Sequence, residues 1–406
     1  MTTAHISNNP RVLKEADALS EAGHDVRVVA YDSDAAAAQR DDALMASRSW
    51  RLTRVVVRRA GARATARWAL AGARHRVAGA LFSRGARQPA IRDAAISKHL
   101  WRMSSAARAE PCDVMVAHHA PALPAAARAA RQLGASLAFD FEDLHVGDVS
   151  NDESGRRQAL LIGDVDSALL PRCAVLIASS APIADAISAR YRVPRPTVVL
   201  NTFPQGSLGV PCDADRVGPA PSFYWFSQVV GPRRGLEEIV AAAARSQVPL
   251  QLHLRGAPYE DFADRLRAIA SENGMIGTLH LHPLAPPEQL VGLSASHDVG
   301  LALEEPWNEN RRLCVSNKLL TYLVAGNAVL ASDTPGQRSV LDDAPGAAAV
   351  YAPGDLDGLT SIVRRLATDP AALASARRAA ACAAARRFSW EHDAPTLVAA
   401  LEGAAA

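Results

Sequence analysis

Two groups of residues in this sequence have types and spacing suited to chemistry. The first lies in "LCVSNKLLTYLVAGNAVLASDTPG", residues 313–336. There Ser316, Asn317 and Lys318 open a helix whose Leu319, Leu320, Leu323 and Val324 recur at the 3, 4 spacing of a packed face, and Gly326 ends it. Ser316 suits an N-cap. Lys318 does not suit the place, because a cation at the positive end of a helix dipole is unfavourable by about 0.3–1 kcal/mol. A bound anion relieves that conflict, and converging backbone N–H groups, a hydroxyl, an amide and an ammonium are how helix starts hold phosphate. Simple capping is the competing reading. Arg233 and Arg234, in "VVGPRRG" ahead of Gly235 and a helix, form a second basic helix start. Charge-assisted bonds of about 1.5–3 kcal/mol each would let the two starts hold a diphosphate without metal, against the alternative of a solvated loop.

The second group follows two strand-like runs in the first half: His118 and His119 after "DVMVA", and Asp140, Glu142, Asp143 and His145 in "DFEDLH". Histidines and carboxylates at neighbouring strand ends suit a general base or a hydroxyl-binding set. Helix capping by one carboxylate and a polar core niche for one histidine compete for any single member, so the cluster is favoured over any one residue.

The elements that must position these groups alternate throughout. "PRVLKEADALSEAG" predicts a helix from Pro10 to Ala22, followed by a strand over Asp25–Ala30; "CDVMVAHH", "ASLAFDF", "CAVLIASS" and "PTVVLNTFP" predict further strands, with helices between them. Residues 204–221 are rich in Pro, Gly and Asp and read as a linker. Beyond it the cycle restarts with "FYWFSQVV", "LQLHLRG", "TLHLHP" and "DVGLALE" as strands. The expected fold class is α/β, with two consecutive parallel sheets covered by helices. Ligands of such sheets bind past the carboxyl ends of the strands. In the second half those positions are Ser227, Gln228, Arg255, His282, Glu304 and Glu305, together with the Ser316–Lys318 triplet.

Composition sets the frame. At 406 residues, 49% hydrophobic, 21% charged and a net charge of +2, the chain reads as a soluble two-domain protein. It shows no bilayer-spanning run and no signal-peptide pattern, so a cytoplasmic location is expected. Its five cysteines are scattered and form no C-x-x-C pair, which argues against disulfides and zinc.

"NPRVLKEADALSEAGHDVRVVA", "WFSQVVGPRRGLEE", "SNKLLTYLVAGNAVLASDTPG" and "FSWEHDAPTLVAAL" together resemble GT-B glycosyltransferases, most closely the large bacterial branch (family 4-like, group 1) that uses nucleotide sugars and usually retains anomeric configuration. The resemblance implies two Rossmann-like domains with parallel sheets facing a central cleft. Residues 1–203 would bind the acceptor, residues 222–387 the donor, a UDP-sugar, and the final helix, 388–406, would cross back to the first domain. It also implies no catalytic metal and no cofactor beyond the donor. Cations at the positions of Arg234 and Lys318 would bind the donor diphosphate. The donor set is then Ser227, Gln228, Arg233, Arg234, Gly235, Arg255, His282, Glu304, Ser316, Asn317, Lys318 and Thr321. Catalysis is expected of His118, Glu142 and Asp143, and acceptor contacts of His5, Asn8, His119 and His145.

Three departures stand out. The second of the branch's paired glutamates is Thr321, so the ribose contact is weaker or comes from elsewhere. Gln228 replaces an expected arginine. The first strand is short, with only "TTAHISNNP" where a glycine-rich turn is expected. From Arg48 to Arg108 basic residues recur, with Trp50, Trp68, Leu81, Phe82 and Trp101 among them; a solvated face, an anionic membrane or an acidic carrier protein would each suit this stretch, and nucleic acid does not. The acceptor is a small molecule, a lipid-linked sugar or a carrier-bound group. A sugar-nucleotide epimerase on the same frame, with Glu304 and Glu305 beside His282 as acid and base, and a catalytically silent binding module are the alternatives.

Overall fold

The computed structural model describes residues 1–59, 61–207 and 220–405, so most of the expected linker, 208–219, lies outside the described residues. The chain divides into one unit of Met1–Val199 with Ala394–Ala406 and a second of Leu200–Asp393.

The first unit runs α1 (Pro10–Glu21), β1 (Arg27–Asp32), α2 (Ala35–Met45), β2 (Arg51–Val56), α3 (Ala62–Ser83), α4 (Pro89–Ile96), α5 (Leu100–Ala107), β3 (Val114–His118), α6 (Leu123–Leu133), β4 (Ser136–Phe141), α7 (Glu153–Leu169), β5 (Val175–Ala178), α8 (Ala181–Tyr191) and β6 (Thr197–Val198). α1 starts where the Asn9 side chain accepts the Val12 N–H and Pro10 fills the first turn, a position that needs no N–H donor. All strand pairs are parallel, β1 with β2 and, separately, β3-β4-β5-β6. The β3–β4 register sets His118 opposite Asp140, so both strands end at one level and deliver their following residues to one place.

The expected strand in "PTVVLNTFP" forms only over Thr197–Val198. It stops there because the Val199 carbonyl is taken by Arg11 Nη1 at 2.9 Å instead of a neighbouring strand. The basic stretch became β2 and α3–α5. Trp50 and Phe82 are buried core residues, while Leu70, Val77, Leu81 and Trp101 stay exposed.

The second unit runs β7 (Ser222–Val230), α9 (Leu236–Ser246), β8 (Gln251–Pro258), α10 (Phe262–Glu272), β9 (Thr278–His282), α11 (Leu290–Ala295), β10 (Val299–Ala302), α12 (Glu309–Leu313), α13 (Asn317–Ala325), β11 (Ala328–Ser332), α14 (Pro335–Leu341), β12 (Ala348–Tyr351), α15 (Leu356–Thr368) and α16 (Pro370–Arg386). Its sheet has the order β12-β11-β10-β7-β8-β9. From β7 the chain builds outward through β8 and β9, then returns to β7's other side as β10. That reversal is the switch point at which such sheets open a ligand crevice. Gly300 on β10 lets α13 approach closely, since a Cβ there would lie 2.1 Å from the Tyr322 ring. The last helix, α17 (Trp390–Ala405), begins in the second unit and continues from Ala394 in the first, where Leu397 and Leu401 are buried.

Candidate functional site

The segments after β7 and β10, at the switch point, meet the start of α13. After β7 the chain turns through Arg233 and Gly235, both in left-handed backbone, at φ 60° and 68°. Gly235 is required there, because a Cβ would also meet the Leu303 Cβ at 2.9 Å. The turn aims Arg234 Nη1 at Ser227 Oγ, 3.1 Å away, and the Gly235 N–H donates to Glu305 at 2.9 Å. Past β10, the backbone N–H of Glu304 donates to Ser332 Oγ at 2.8 Å. The Glu304 carboxylate accepts from Lys318 Nζ at 2.9 Å and lies 3.6 Å from Arg311. Desolvation opposes ionisation of Glu304, but the Lys318 and Arg311 charges win and hold it below the usual carboxylate range. Burial and the neighbouring Arg311 charge push the Arg234 guanidinium below its ordinary value, with Glu304 opposing. Positive charge therefore exceeds what Glu304 neutralises, the condition in which an anion is favoured.

Not every residue of the expected donor set joins this cluster. Ser227, Arg234, Gly235, Glu304 and Lys318 come together. Arg233 extends over the Trp307 ring, 5.2 Å from its centroid, and Gln228 is exposed. Asn317 is exposed and its Oδ1 accepts from Asn201 at 3.1 Å. Ser316 holds the N-cap position, but its side chain makes no capping bond. Thr321 requires correction: it is fully buried and its hydroxyl donates to the Asn317 carbonyl at 2.8 Å, so it offers a ligand nothing. Arg255 and His282 are also committed elsewhere. Arg255 donates to Tyr224 Oη at 2.9 Å and to the Pro283 carbonyl at 2.8 Å, and His282 bonds His253 at 2.9 Å within a stack that includes His280. Arg311, on α12, was missed by the sequence reading; the basic pair in "ENRRL" was its only signal.

In the first unit, the paired ends of β3 and β4 set His118, His119, Asp140 and Glu142 beside α1. Arg11 and Glu15, unread in the sequence, complete the group. Arg11 Nε lies 2.9 Å from Asp140 and 3.0 Å from Glu15, and His118 Nε2 is 3.2 Å from Glu15. Despite desolvation, the Arg11 charge holds Asp140 down at about 2, while burial and the Asp140 charge drive Glu15 well above its ordinary value. Burial lowers His118 to about 3. Glu15, His118 and Asp140 place ligand-type atoms within 4.8 Å of one another, but Arg11 already supplies the cation, and a metal would have to displace a buried guanidinium.

This corrects the catalytic role expected of His118, whose ring is buried against Glu15 in the charged cluster. Its neighbour is better placed. His119, in left-handed backbone at φ 70°, turns outward; its side chain is 28% exposed and lies 3.6 Å from Glu142, itself 23% exposed. Although desolvation opposes it, the contact with His119 and the Arg11 charge keep the Glu142 carboxyl below its usual range. Asn9 Nδ2 and Thr2 Oγ1 each approach the His119 ring at 3.4 Å, and His145 meets it edge to face with centroids 6.2 Å apart. Burial lowers His145 to about 4. Asp143 is half-buried in the turn after β4.

His5 also needs correction. Its Nε2 accepts the N–H groups of Ser33 and Asp34 at 3.0 and 3.1 Å, so Nδ1 carries the hydrogen and donates to Asp41 at 2.7 Å. Both ring nitrogens are occupied and the residue is buried, leaving nothing for an acceptor. Asn8 is exposed on the short helical turn Ile6–Asn8.

Residues 9–202 match the family model of a glycosyl transferase 4-like domain, and residues 233–399 that of a glycosyl transferase-like domain. No curated protein sequence matches. Among solved structures, HepE of Anabaena in complex with UDP superimposes with a TM-score of 0.69 at 15% identity, covering 99% of this chain and 98% of its own. Sucrose-phosphate synthase of Thermosynechococcus elongatus gives 0.64 at 16% identity, with 97% and 92% covered. The lipopolysaccharide outer core galactosyltransferase WaaB gives 0.60 at 15%, with 99% and 98% covered. With both units matched by glycosyltransferase families and the fold shared along the whole chain, this protein belongs to the GT-B glycosyltransferases of the group 1 branch.

Proposed function

We propose that the protein transfers a sugar from UDP-sugar to an acceptor hydroxyl, without a metal ion. The observation that carries this reading is the surplus of positive charge at the switch point of the second unit. Arg234 and Lys318, brought in by two different segments, are partnered by the Ser227 hydroxyl and by the ionised Glu304 carboxylate. As the glycosidic C–O bond breaks, the departing diphosphate gains negative charge. The two cations and the amide end of α13 stabilise that charge, the work a metal does in other designs. HepE has been solved with UDP and with UDP-glucose, which supports the same donor class here. The acceptor is assigned to the first unit, where His119, with Glu142 beside it, orients the hydroxyl and takes up its proton.

An epimerase needs a proton donor at the donor sugar, and Glu304, held ionised by Lys318 and Arg311, has no proton to give. The basic stretch favours a lipid-linked acceptor and a cytoplasmic enzyme resting on the inner membrane face. Along α3 the exposed residues Arg63, Arg67, Leu70, Arg74, Val77 and Leu81 share one helical side, and no helix among the described residues is long and apolar enough to cross a membrane. The test is titration calorimetry of UDP in EDTA, with the parent and with Arg234→Ala and Lys318→Ala. Binding by the parent and its loss in both variants supports the reading. Equal binding by all three, or binding only when magnesium is added, refutes it.

A further inference from the structure

A second group of cations lies in the first unit, drawn from the turn after β2, from α3 and from the turn between α4 and α5. Trp68, Gly72 and Arg76 follow one another at four-residue steps, on the side of α3 opposite Leu70, Arg74 and Val77. Arg59, just past β2, holds its guanidinium carbon 3.7 Å from the centre of the Trp68 ring, and Lys98 Nζ lies 3.7 Å from the ring as well. Gly72 leaves room for a third charge. A Cβ there would lie 3.4 Å from Arg76 Nη1, 3.7 Å from Lys98 Cε and 3.9 Å from Lys98 Nζ, so two cationic heads converge on one point beside the helix.

No carboxylate closes this group. Between Arg48 and Arg108 the one acid is Asp93, and Arg92 takes it at 2.7 Å; Asp32, at the end of β1, is taken by Arg58 at 3.2 Å. Among the described residues, Arg59, Arg76 and Lys98 have no ion-pair partner. The Trp68 ring orients two of the cations and neutralises neither. Burial, then the Arg59 and Arg76 charges, push the Lys98 ammonium below its ordinary value, the mark of a cation among cations. A ligand with two or more negative charges would relieve all three, and guanidinium forks match the oxygens of phosphate. The place is also where parallel sheets take ligands, past the carboxyl end of a strand. Thr2 pairs parallel with Ala30 of β1, while Met1 donates to the Val116 carbonyl at 2.6 Å and accepts the His118 N–H at 2.9 Å, the parallel pattern again. β2 and β3 therefore point the same way, and Arg59 and His119 follow strand ends on one side of the unit.

We propose, resting on the assignment of the acceptor to the first unit, that Arg59, Arg76 and Lys98 form a site for a phosphate or diphosphate group carried by that acceptor. The acceptor is then held at two points, its anion by the three cations and its hydroxyl at His119. Two sources share this chemistry, a water-soluble phosphate ester and a lipid headgroup.

The chain has three lysines, Lys14 on α1, Lys98 in this cluster and Lys318 at the donor site, so each is a separate reporter. Brief acylation with acetic anhydride at constant ionic strength is read by mass spectrometry of the three peptides. About 10 mM inorganic pyrophosphate, added to protein saturated with UDP, should slow acylation of Lys98 about tenfold, as a Kd near 1 mM requires, and leave Lys14 unchanged. Arg76→Gln, at an exposed position, should abolish that protection. Lys98 acylated equally with and without pyrophosphate, Lys14 and Lys98 slowed alike, or full protection in Arg76→Gln would each overturn the proposal. Vesicles of phosphatidylglycerol and phosphatidylcholine, used in place of pyrophosphate, separate the sources. Protection of Lys98 by both probes supports a lipid headgroup, and protection by pyrophosphate alone supports a soluble ester. Protection by vesicles alone overturns the proposal in favour of a bare contact with a membrane surface. The donor reading has its own reporter: UDP alone should slow acylation of Lys318 and not of Lys98, and its failure to do so would count against the donor site without altering the Lys98 result.

Discussion

Two charged clusters, one in each unit, invite comparison because they share ingredients and differ in how charge is closed. In the first, Arg11 is fully buried and meets Asp140, Glu15 and the Val199 carbonyl within about 3 Å. In the second, Arg234 is half-buried with a single hydroxyl partner, and Lys318 shares Glu304 with Arg311. A guanidinium enclosed by carboxylates holds strands and helix together. A cation surplus that reaches solvent is left for a ligand. The first cluster also has an open rim, His119 with Glu142, and chemistry is expected at that rim and not in the closed interior.

The sharpest way to break this contrast is Arg11→Met. Removing one partner of a buried ion network costs about 3–5 kcal/mol, read as the urea midpoint, while UDP affinity of the folded fraction stays unchanged. A cost below about 1 kcal/mol would show the closed cluster to be no more structural than a surface pair. Next comes His119→Ala. It should lower turnover about 100-fold with donor affinity and Tm near the parent's, whereas His118→Ala should lose activity only in step with its loss of folded protein. The reverse pattern would restore His118 as the reacting group. Arg234→Ala should weaken UDP binding by about 1.5–3 kcal/mol in calorimetry and move stability by less than about 1 kcal/mol. A large stability loss with little change in affinity would make the second cluster structural too.

The smallest effect is in acid. An unfolded histidine binds its proton near pH 6.5, but folded His118 does not until about 3. Between those values the unfolded state holds the extra proton, so His118 contributes stability that is complete above about pH 6.5 and is lost as pH falls. His118→Asn should therefore flatten the acid limb of a stability-against-pH profile between pH 6.5 and 4. An unchanged slope would mean that His118 is solvated.

Much of the fold was legible because its signals are local. α1 and α13 carried caps, apolar spacing and glycine stops, and β3, β4 and β7 were short apolar runs between breakers. The strand expected after Pro196 stops at Val198 for a non-local reason, an arginine 188 residues away taking the Val199 carbonyl. The candidate site divides in the same way. Lys318 and Arg234 were legible because a cation at a helix start is locally wrong. Arg11 and Glu15 were not, because an arginine and a glutamate four residues apart on a helix read as an ordinary solvent pair. Only the neighbouring strand ends turn them inward. His5 and Thr321 were misread because residue type shows what a side chain can offer, and burial with two bonds on one ring or a back-bond to Asn317 had already used it.

The division of α17 between the units has a consequence for how the protein is made. Its segment from Ala394 onward belongs to the first unit, so the 194 residues of Leu200–Asp393 are synthesised before that unit has all its parts. At ribosomal rates the wait is roughly 10–40 s. During it the second unit emerges complete and free to fold, while the first must persist without Leu397 and Leu401, which its finished form buries. The half translated earlier is finished later, and for that interval its uncovered apolar surface is what chaperones and aggregation compete for.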